Sequence, residues 1–163
     1  MAFTIFILAC LAGGSTAVLS VDLRPYNITA GYMFVINDKN EDAILSLAEF
    51  EAPFNVYDFN GDKKIERHEY VCMIRASNEN LVHVSHAIYD YYDLDHDSKL
   101  EKHDFAAFYK KMDKDENGEV SYHEFVVYWT QLLKDTEHHS LHGNPHPLHE
   151  DKYCEKHGHN KGR

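Results

Sequence analysis

The twelve residues DKDENGEVSYHE, Asp113 to Glu124, decide how this chain is read. Side-chain oxygens stand at positions 1, 3 and 5 (Asp113, Asp115, Asn117), glycine at 6 (Gly118), and Glu119 at 7, where its backbone carbonyl is available. Ser121 follows at 9 and Glu124 at 12. Alternating hard oxygen donors, closed by a carboxylate able to offer both oxygens, suit the large and flexible coordination shell of Ca²⁺. Val120 at position 8 is apolar and would let two such loops pair through a short β contact.

Three further runs follow the same pattern with departures. DLDHDSKLEKHD places Asp93, Asp95, Asp97, the Lys99 carbonyl and Glu101, but Ser98 replaces the glycine and Asp104 ends it. Aspartate is one methylene shorter, so the run should hold Ca²⁺ more weakly or accept octahedral Mg²⁺. DFNGDKKIERHE supplies Asp58, Asn60, Asp62, the Lys64 carbonyl, Glu66 and Glu69, with Lys63 where a positive φ is wanted, at about 1 kcal/mol of strain. DKNEDAILSLAE offers Asp38, Asn40, Asp42, Ser46 and Glu49, but Ala43 sits at the turn and the preceding helix would include Gly31. This run reads equally as a degenerate acidic turn kept for packing.

The runs begin 20, 35 and 20 residues apart, so Asp38–Glu69 and Asp93–Glu124 are copies displaced by 55 residues, with Phe50 matching Phe105 and Glu49 matching Asp104. Between them apolar residues keep helical spacing: Tyr70, Met73, Ile74; Leu81, Val84, Ile88, Tyr92; Phe105, Phe108, Met112; and Phe125, Val126, Trp129, Leu132, Leu133. These stripes are helix core. His103 and His123 read as solvated loop positions.

Asp58–Glu69, Asp93–Asp104 and Asp113–Glu124, flanked by Phe54, Tyr89, Tyr109 and Phe125, resemble EF-hands over about Phe34 to Leu133. The resemblance implies an all-α fold of helix-loop-helix repeats, about six helices and up to four calcium loops. A fainter likeness, to small secreted EF-hand proteins such as those of mollusc shell matrix, rests on an apolar leader, acidity and a His-rich tail. The spacing departs from the calmodulin pattern. Between Asp104 and Asp113 there is room for one helix serving both loops, so those two lie at the ends of a rod of about 15 Å and cannot pair. The central loops are therefore expected to pair with each other, with the outer two either lone or facing each other across the repeat.

The ends of the chain differ from its body. Phe3 to Ala12 is uncharged and too short to cross a bilayer, and Ser15-Thr16-Ala17 suits cleavage after Ala17, so residues 1–17 read as a signal peptide, with an uncleaved anchor or buried helix as the alternative. The n-region lacks the usual Lys or Arg. A lead of residues 18–31 carries the sequon Asn27-Ile28-Thr29, a glycosylation acceptor at Asn27. EF-hand domains would fill 32–137, leaving a His-rich tail, 138–163, poorly ordered, with seven of the 13 histidines. Removing the leader leaves two cysteines, Cys72 and Cys154, expected to pair in an oxidising compartment, with two separate thiols as the alternative. The tail histidines, His138, His139 and His142 among them, could take Zn²⁺, Cu²⁺ or Ni²⁺, or serve only to solubilise.

With 27 acidic and 16 basic residues the chain carries a formal charge of −11 and is no nucleic-acid binder. No later segment could span a membrane. There is no nucleophile motif, phosphate loop or HExxH, so an enzyme is not expected. The leading expectation is a secreted, non-catalytic calcium-binding protein of extracellular matrix, mineral or buffering use, its partners calcium and matrix or mineral components. A calcium-switched module in the secretory pathway is the second expectation; only Met33, Met73 and Met112 remain to form the Met-rich groove that sensors favour.

Overall fold

The computed structural model describes residues 22–77 and 81–142 together with Cys154. Seven helices and four two-residue strands occur among the described residues: α1 (Tyr26–Asn37), β1 (Ile44–Leu45), α2 (Leu47–Glu51), α3 (Phe54–Tyr57), β2 (Ile65–Glu66), α4 (Arg67–Ser77), α5 (Val82–Tyr92), β3 (Lys99–Leu100), α6 (Lys102–Met112), β4 (Val120–Ser121) and α7 (Tyr122–His142). The chain is all-α apart from these short contacts.

Seven helices replace the expected six because the helix between the first two loops is divided. Pro53 brings no N–H to the ladder, so α2 stops before it and α3 restarts when Val56 N donates to the Pro53 carbonyl at 2.8 Å. Phe108 stands 55 residues further on, and there α6 runs unbroken for 11 residues between its two loops. The single shared helix inferred from the spacing is α6.

Position 8 of each loop pairs the loops. Leu45 lies opposite Val120 in the antiparallel β1–β4 contact, and Ile65 opposite Leu100 in β2–β3. All four side chains are fully buried. The outer loops thus face each other rather than standing alone, and both contacts join one copy of the repeat to the other. Between them lies an aromatic core in which Phe50, Tyr92, Phe105, Phe108 and Trp129 are each at most 5 % exposed. Tyr92 and Phe108 approach most closely there, at 4.5 Å between ring centroids.

Two boundaries drawn from composition move. The lead does not end at Gly31, because from Tyr26 it forms the first half of α1, and Leu23 ahead of it is buried. α1 packs along α7, where Phe34 meets Phe125 at 5.5 Å, Arg24 pairs with Glu137 at 3.0 Å, and the Tyr26 hydroxyl donates to the same carboxylate. Gly31 fits inside the helix because the Tyr122 hydroxyl lies against it: a Cβ there would come within 2.7 Å of that oxygen. α7 likewise does not stop after Glu137. Buried Leu132, Leu133 and Thr136 and the clamp on Glu137 anchor its last turns, and it continues to His142. Cys72 on α4 is disulfide-bonded to Cys154, with 5.3 Å between Cα atoms. The leader and the tail beyond His142, Cys154 apart, lie outside the described residues; of the transition-metal ligands expected in the tail, His138, His139 and His142 fall on the last turns of α7 and the others lie beyond it.

Candidate metal centres in two loop pairs

All four acidic runs adopt one backbone shape. Residues at positions 4 and 6 have positive φ throughout: Glu41 and Ala43, Gly61 and Lys63, His96 and Ser98, Glu116 and Gly118. The sequence marked position 6 as the special turn. Position 4 was missed, since three of its four residues carry side chains.

The shape is held by the carboxylates that would hold an ion. At position 1, each aspartate accepts from the amides of positions 5 and 6: Asp113 from Asn117 at 3.1 Å and Gly118 at 2.8 Å, and Asp38 from Asp42 at 3.2 Å and Ala43 at 2.9 Å. Asp58 and Asp93 do the same. Position 3 (Asn40, Asn60, Asp95, Asp115) accepts from the amide of position 5, and position 5 (Asp42, Asp62, Asp97, Asn117) from that of position 7. Acceptor side chains therefore fold over each loop. Carboxylate oxygens of Asp93, Asp95 and Asp97 lie within 4.8 Å of one another, as do those of Asp113, Asp115 and Glu124. The Asp38 run has the same internal bonds as the others despite Ala43.

At position 12 the two pairs differ. In the outer pair the serine at position 9 grips the glutamate: Ser121 Oγ donates to Glu124 Oε2 at 2.7 Å, and Ser46 Oγ to Glu49 Oε2 at 2.7 Å. The other oxygen returns to the loop start, accepting from Lys114 N at 2.9 Å and from Lys39 N at 2.9 Å. The Ser121 hydroxyl and amide, with the Lys114 and Asp115 amides, pull Glu124 down to about 2. Burial works against Glu49, but its bonds from Ser46, Lys39 and Asn40 leave it below the ordinary value as well.

In the inner pair position 9 is glutamate, and position 12 is buried: Glu69 is fully enclosed and Asp104 is 1 % exposed. Burial raises both carboxyls above their ordinary values. Glu69 Oε2 accepts from Glu66 N at 2.9 Å, but buried Oε1 has no well-formed bond: the Phe59 amide turns to the Tyr57 carbonyl at 3.0 Å, and only the Asn60 amide still acts on the carboxylate. A buried carboxylate oxygen so poorly paired is what a bound cation would satisfy. Asp104 shows the shorter arm in its reach, with Leu94 N at 3.4 Å against 2.9 Å for the matching contact of Glu124.

Contacts that spacing could not foretell surround the inner pair. Lys64 bonds Glu101 at 2.7 Å across the β2–β3 contact, joining position 7 of one loop to position 9 of the other. His103 is not merely solvated: its ring is exposed, yet Nε2 lies 3.0 Å from Asp95 Oδ2 and 3.6 Å from Asp104 Oδ2. His123 is exposed, as is Asn27 in the first turn of α1.

Residues 50–130 match the family model of an EF-hand domain pair. The chain belongs to the EF-hand superfamily. The matched span holds the Asp58, Asp93 and Asp113 loops and begins just past Glu49, so the Asp38 loop joins them by its backbone geometry and its pairing with β4. EF-hands are calcium-binding modules, and the donor set here, all oxygen, fits that cation. No curated protein and no solved structure matches the chain.

Proposed function

We propose that this EF-hand protein is a secreted, non-catalytic calcium binder whose four loops fill as two pairs, serving extracellular matrix, mineral or buffering chemistry. One observation carries the reading: four loops share the same turn geometry, and in each the position-1, 3 and 5 side chains fold over one spot. The ligands are Asp113, Asp115, Asn117, the Glu119 carbonyl and Glu124; Asp93, Asp95, Asp97, the Lys99 carbonyl and Asp104; Asp58, Asn60, Asp62, the Lys64 carbonyl and Glu69; and Asp38, Asn40, Asp42 and Glu49.

Secretion is supported by the apolar leader and by the bond between Cys72 and Cys154, a pairing that oxidising compartments favour. Extracellular modules of this type work at about 10⁻⁴ to 10⁻³ M calcium, where imperfect loops suffice. Among the described residues no helix is long and apolar enough to cross a membrane.

A calcium-switched interaction module is the second reading, favoured by one face of α1. Ile28, Tyr32 and Val35 follow helical spacing and are 52 %, 60 % and 65 % exposed. Calorimetric calcium titration of the chain from Val18 onward, with circular dichroism and an apolar dye followed alongside, tests both. Binding with little change in dye signal or helix content is expected of the first reading, and a large increase in dye signal of the second. Absence of calcium binding at millimolar calcium would defeat both.

A further inference from the structure

Two buried tyrosine hydroxyls bridge the loop pairs. Tyr89 on α5 and Tyr109 on α6 each stand four residues before a loop. Tyr109 Oη donates to the Leu45 carbonyl at 2.6 Å and lies 3.5 Å from the Gly118 carbonyl. Tyr89 repeats the arrangement, with the Ile65 and Ser98 carbonyls both at 2.9 Å.

The acceptors are equivalent in the two places. One is position 6 of the loop that the tyrosine precedes, and the other is position 8 of the loop paired with it. Each is the sequence neighbour of a position-7 residue, whose carbonyl serves as a ligand: Glu119 and Ile44 for Tyr109, Lys99 and Lys64 for Tyr89. One phenolic proton therefore ties the turn of one loop to the strand of the other.

Residue identity makes the arrangement one-sided. Phe34 and Phe54 hold the equivalent places before the Asp38 and Asp58 loops, and a phenyl ring has no proton to donate. Both loops of the first copy receive a tyrosine bond from the second copy, and the phenylalanines at the matching places can return none.

We infer that Tyr109 and Tyr89 are positioning residues that couple cation binding across each pair, Tyr109 between the Asp113 and Asp38 loops and Tyr89 between the Asp93 and Asp58 loops. The inference rests on the reading that these loops take calcium. An ion that fixes Gly118 and Glu119 fixes the hydroxyl beside them and with it the Leu45 carbonyl, so the Asp38 loop then orders at a smaller entropic cost. One hydrogen bond of this kind corresponds to about a fivefold change in affinity. By linkage the effect runs equally in both directions.

A double-mutant cycle on the full chain tests it, with calcium as the probe and the amide resonances of Ala43 and Ile44 reporting the Asp38 loop. Glu124→Gln is expected to weaken that loop about fivefold when Tyr109 is present and to leave it unchanged when Tyr109→Phe is already in place. Equal weakening in both backgrounds would overturn the coupling role. In calcium-free protein, Tyr109→Phe should speed hydrogen exchange at the Leu45 and Val120 amides, and unchanged exchange would also overturn it. If the Asp38 loop binds no calcium in the unmodified chain, that ligand assignment fails while the calcium-free exchange still reports the bond. The cycle of Asp104→Asn with Tyr89→Phe, read at Lys63 and Lys64, then decides the coupling at the other pair.

Discussion

Phe50 and Phe105 hold the same place in two copies of one unit, 55 residues apart, and their rings meet at 5.9 Å between centroids. A residue that touches its own counterpart lies where the two copies are related to each other. Within a copy the two loops sit at opposite ends of a helical connection and cannot pair; each finds its partner in the other copy, through Leu45 with Val120 and Ile65 with Leu100. The fold thus joins two half-units whose loops are complementary only across the contact that Phe50 and Phe105 make.

The Asp113 loop has every ligand position filled and the glycine its turn prefers, so it should bind calcium most tightly. Glu124→Gln removes one charge and the bidentate pair and should delete the tightest step of the calcium isotherm while the other steps persist. If that step survives, the loop is not the strongest site.

Glu69→Gln and Glu124→Gln should act oppositely on the calcium-free protein, although each removes one site. Glu124 has a lowered folded pKa, so its contribution is present above about 4.5 and lost as pH falls through about 2. Glu69 has a raised one: its carboxyl favours the folded state below about 4.5, and that contribution is lost as pH rises through the elevated value. At pH 7 without calcium, a buried carboxylate with one poorly paired oxygen is destabilising, on the order of 1 kcal/mol or more. Glu69→Gln should therefore raise the calcium-free melting temperature by a few degrees, and Glu124→Gln should lower it. A fall in both would contradict the assignment of Glu69 as a poorly satisfied charge.

Position-8 apolar residues, the 55-residue displacement and the 11-residue α6 were legible because they follow from spacing along the chain. The split between α2 and α3 was equally open to reading in Pro53. By contrast, Lys64 with Glu101, His103 with Asp95, and the two tyrosine hydroxyls depend on which loop faces which, a relation fixed only once the copies dock. Burial of Glu69 and Asp104 was hidden for the same reason. Nothing in DFNGDKKIERHE distinguishes an enclosed position-12 carboxylate from the half-exposed Glu124 of DKDENGEVSYHE.

Asp104→Glu should raise calcium affinity relative to magnesium at the Asp93 loop. The longer arm would close the 3.4 Å contact with Leu94 N to the 2.9 Å seen for Glu124 and bring both oxygens to a large ion, whereas Mg²⁺ demands a tight octahedron that gains nothing from a second oxygen. Titrations with each cation measure the ratio. An unchanged or lowered ratio would count against occupancy of this loop.

The bond between Cys72 and Cys154 spans 82 residues of sequence and ties Cys154 to α4, one helical turn beyond the position-12 residue Glu69. Closing so long a loop restricts the unfolded chain, which typically stabilises a protein by about 2 to 4 kcal/mol. Cys72→Ser should accordingly lower the melting temperature by several degrees or more with calcium absent or present, in a protein whose calcium steps keep their order. Non-reducing peptide mapping of the unmodified protein should recover the two cysteines in one linked peptide. Recovery of both as free thiols would remove the bond, and a Cys72→Ser variant with an altered order of calcium steps would show that the link reaches the loops through α4. A chain ending at Glu137 separates the remaining possibility. It loses the disulfide and the last turn of α7 but keeps the Arg24 and Tyr26 contacts to Glu137, so its calcium steps should match those of Cys72→Ser. Any Zn²⁺ or Ni²⁺ binding that the histidines of 138–163 provide should disappear from it; equal binding of these ions by the full and shortened chains would leave the tail without a metal role.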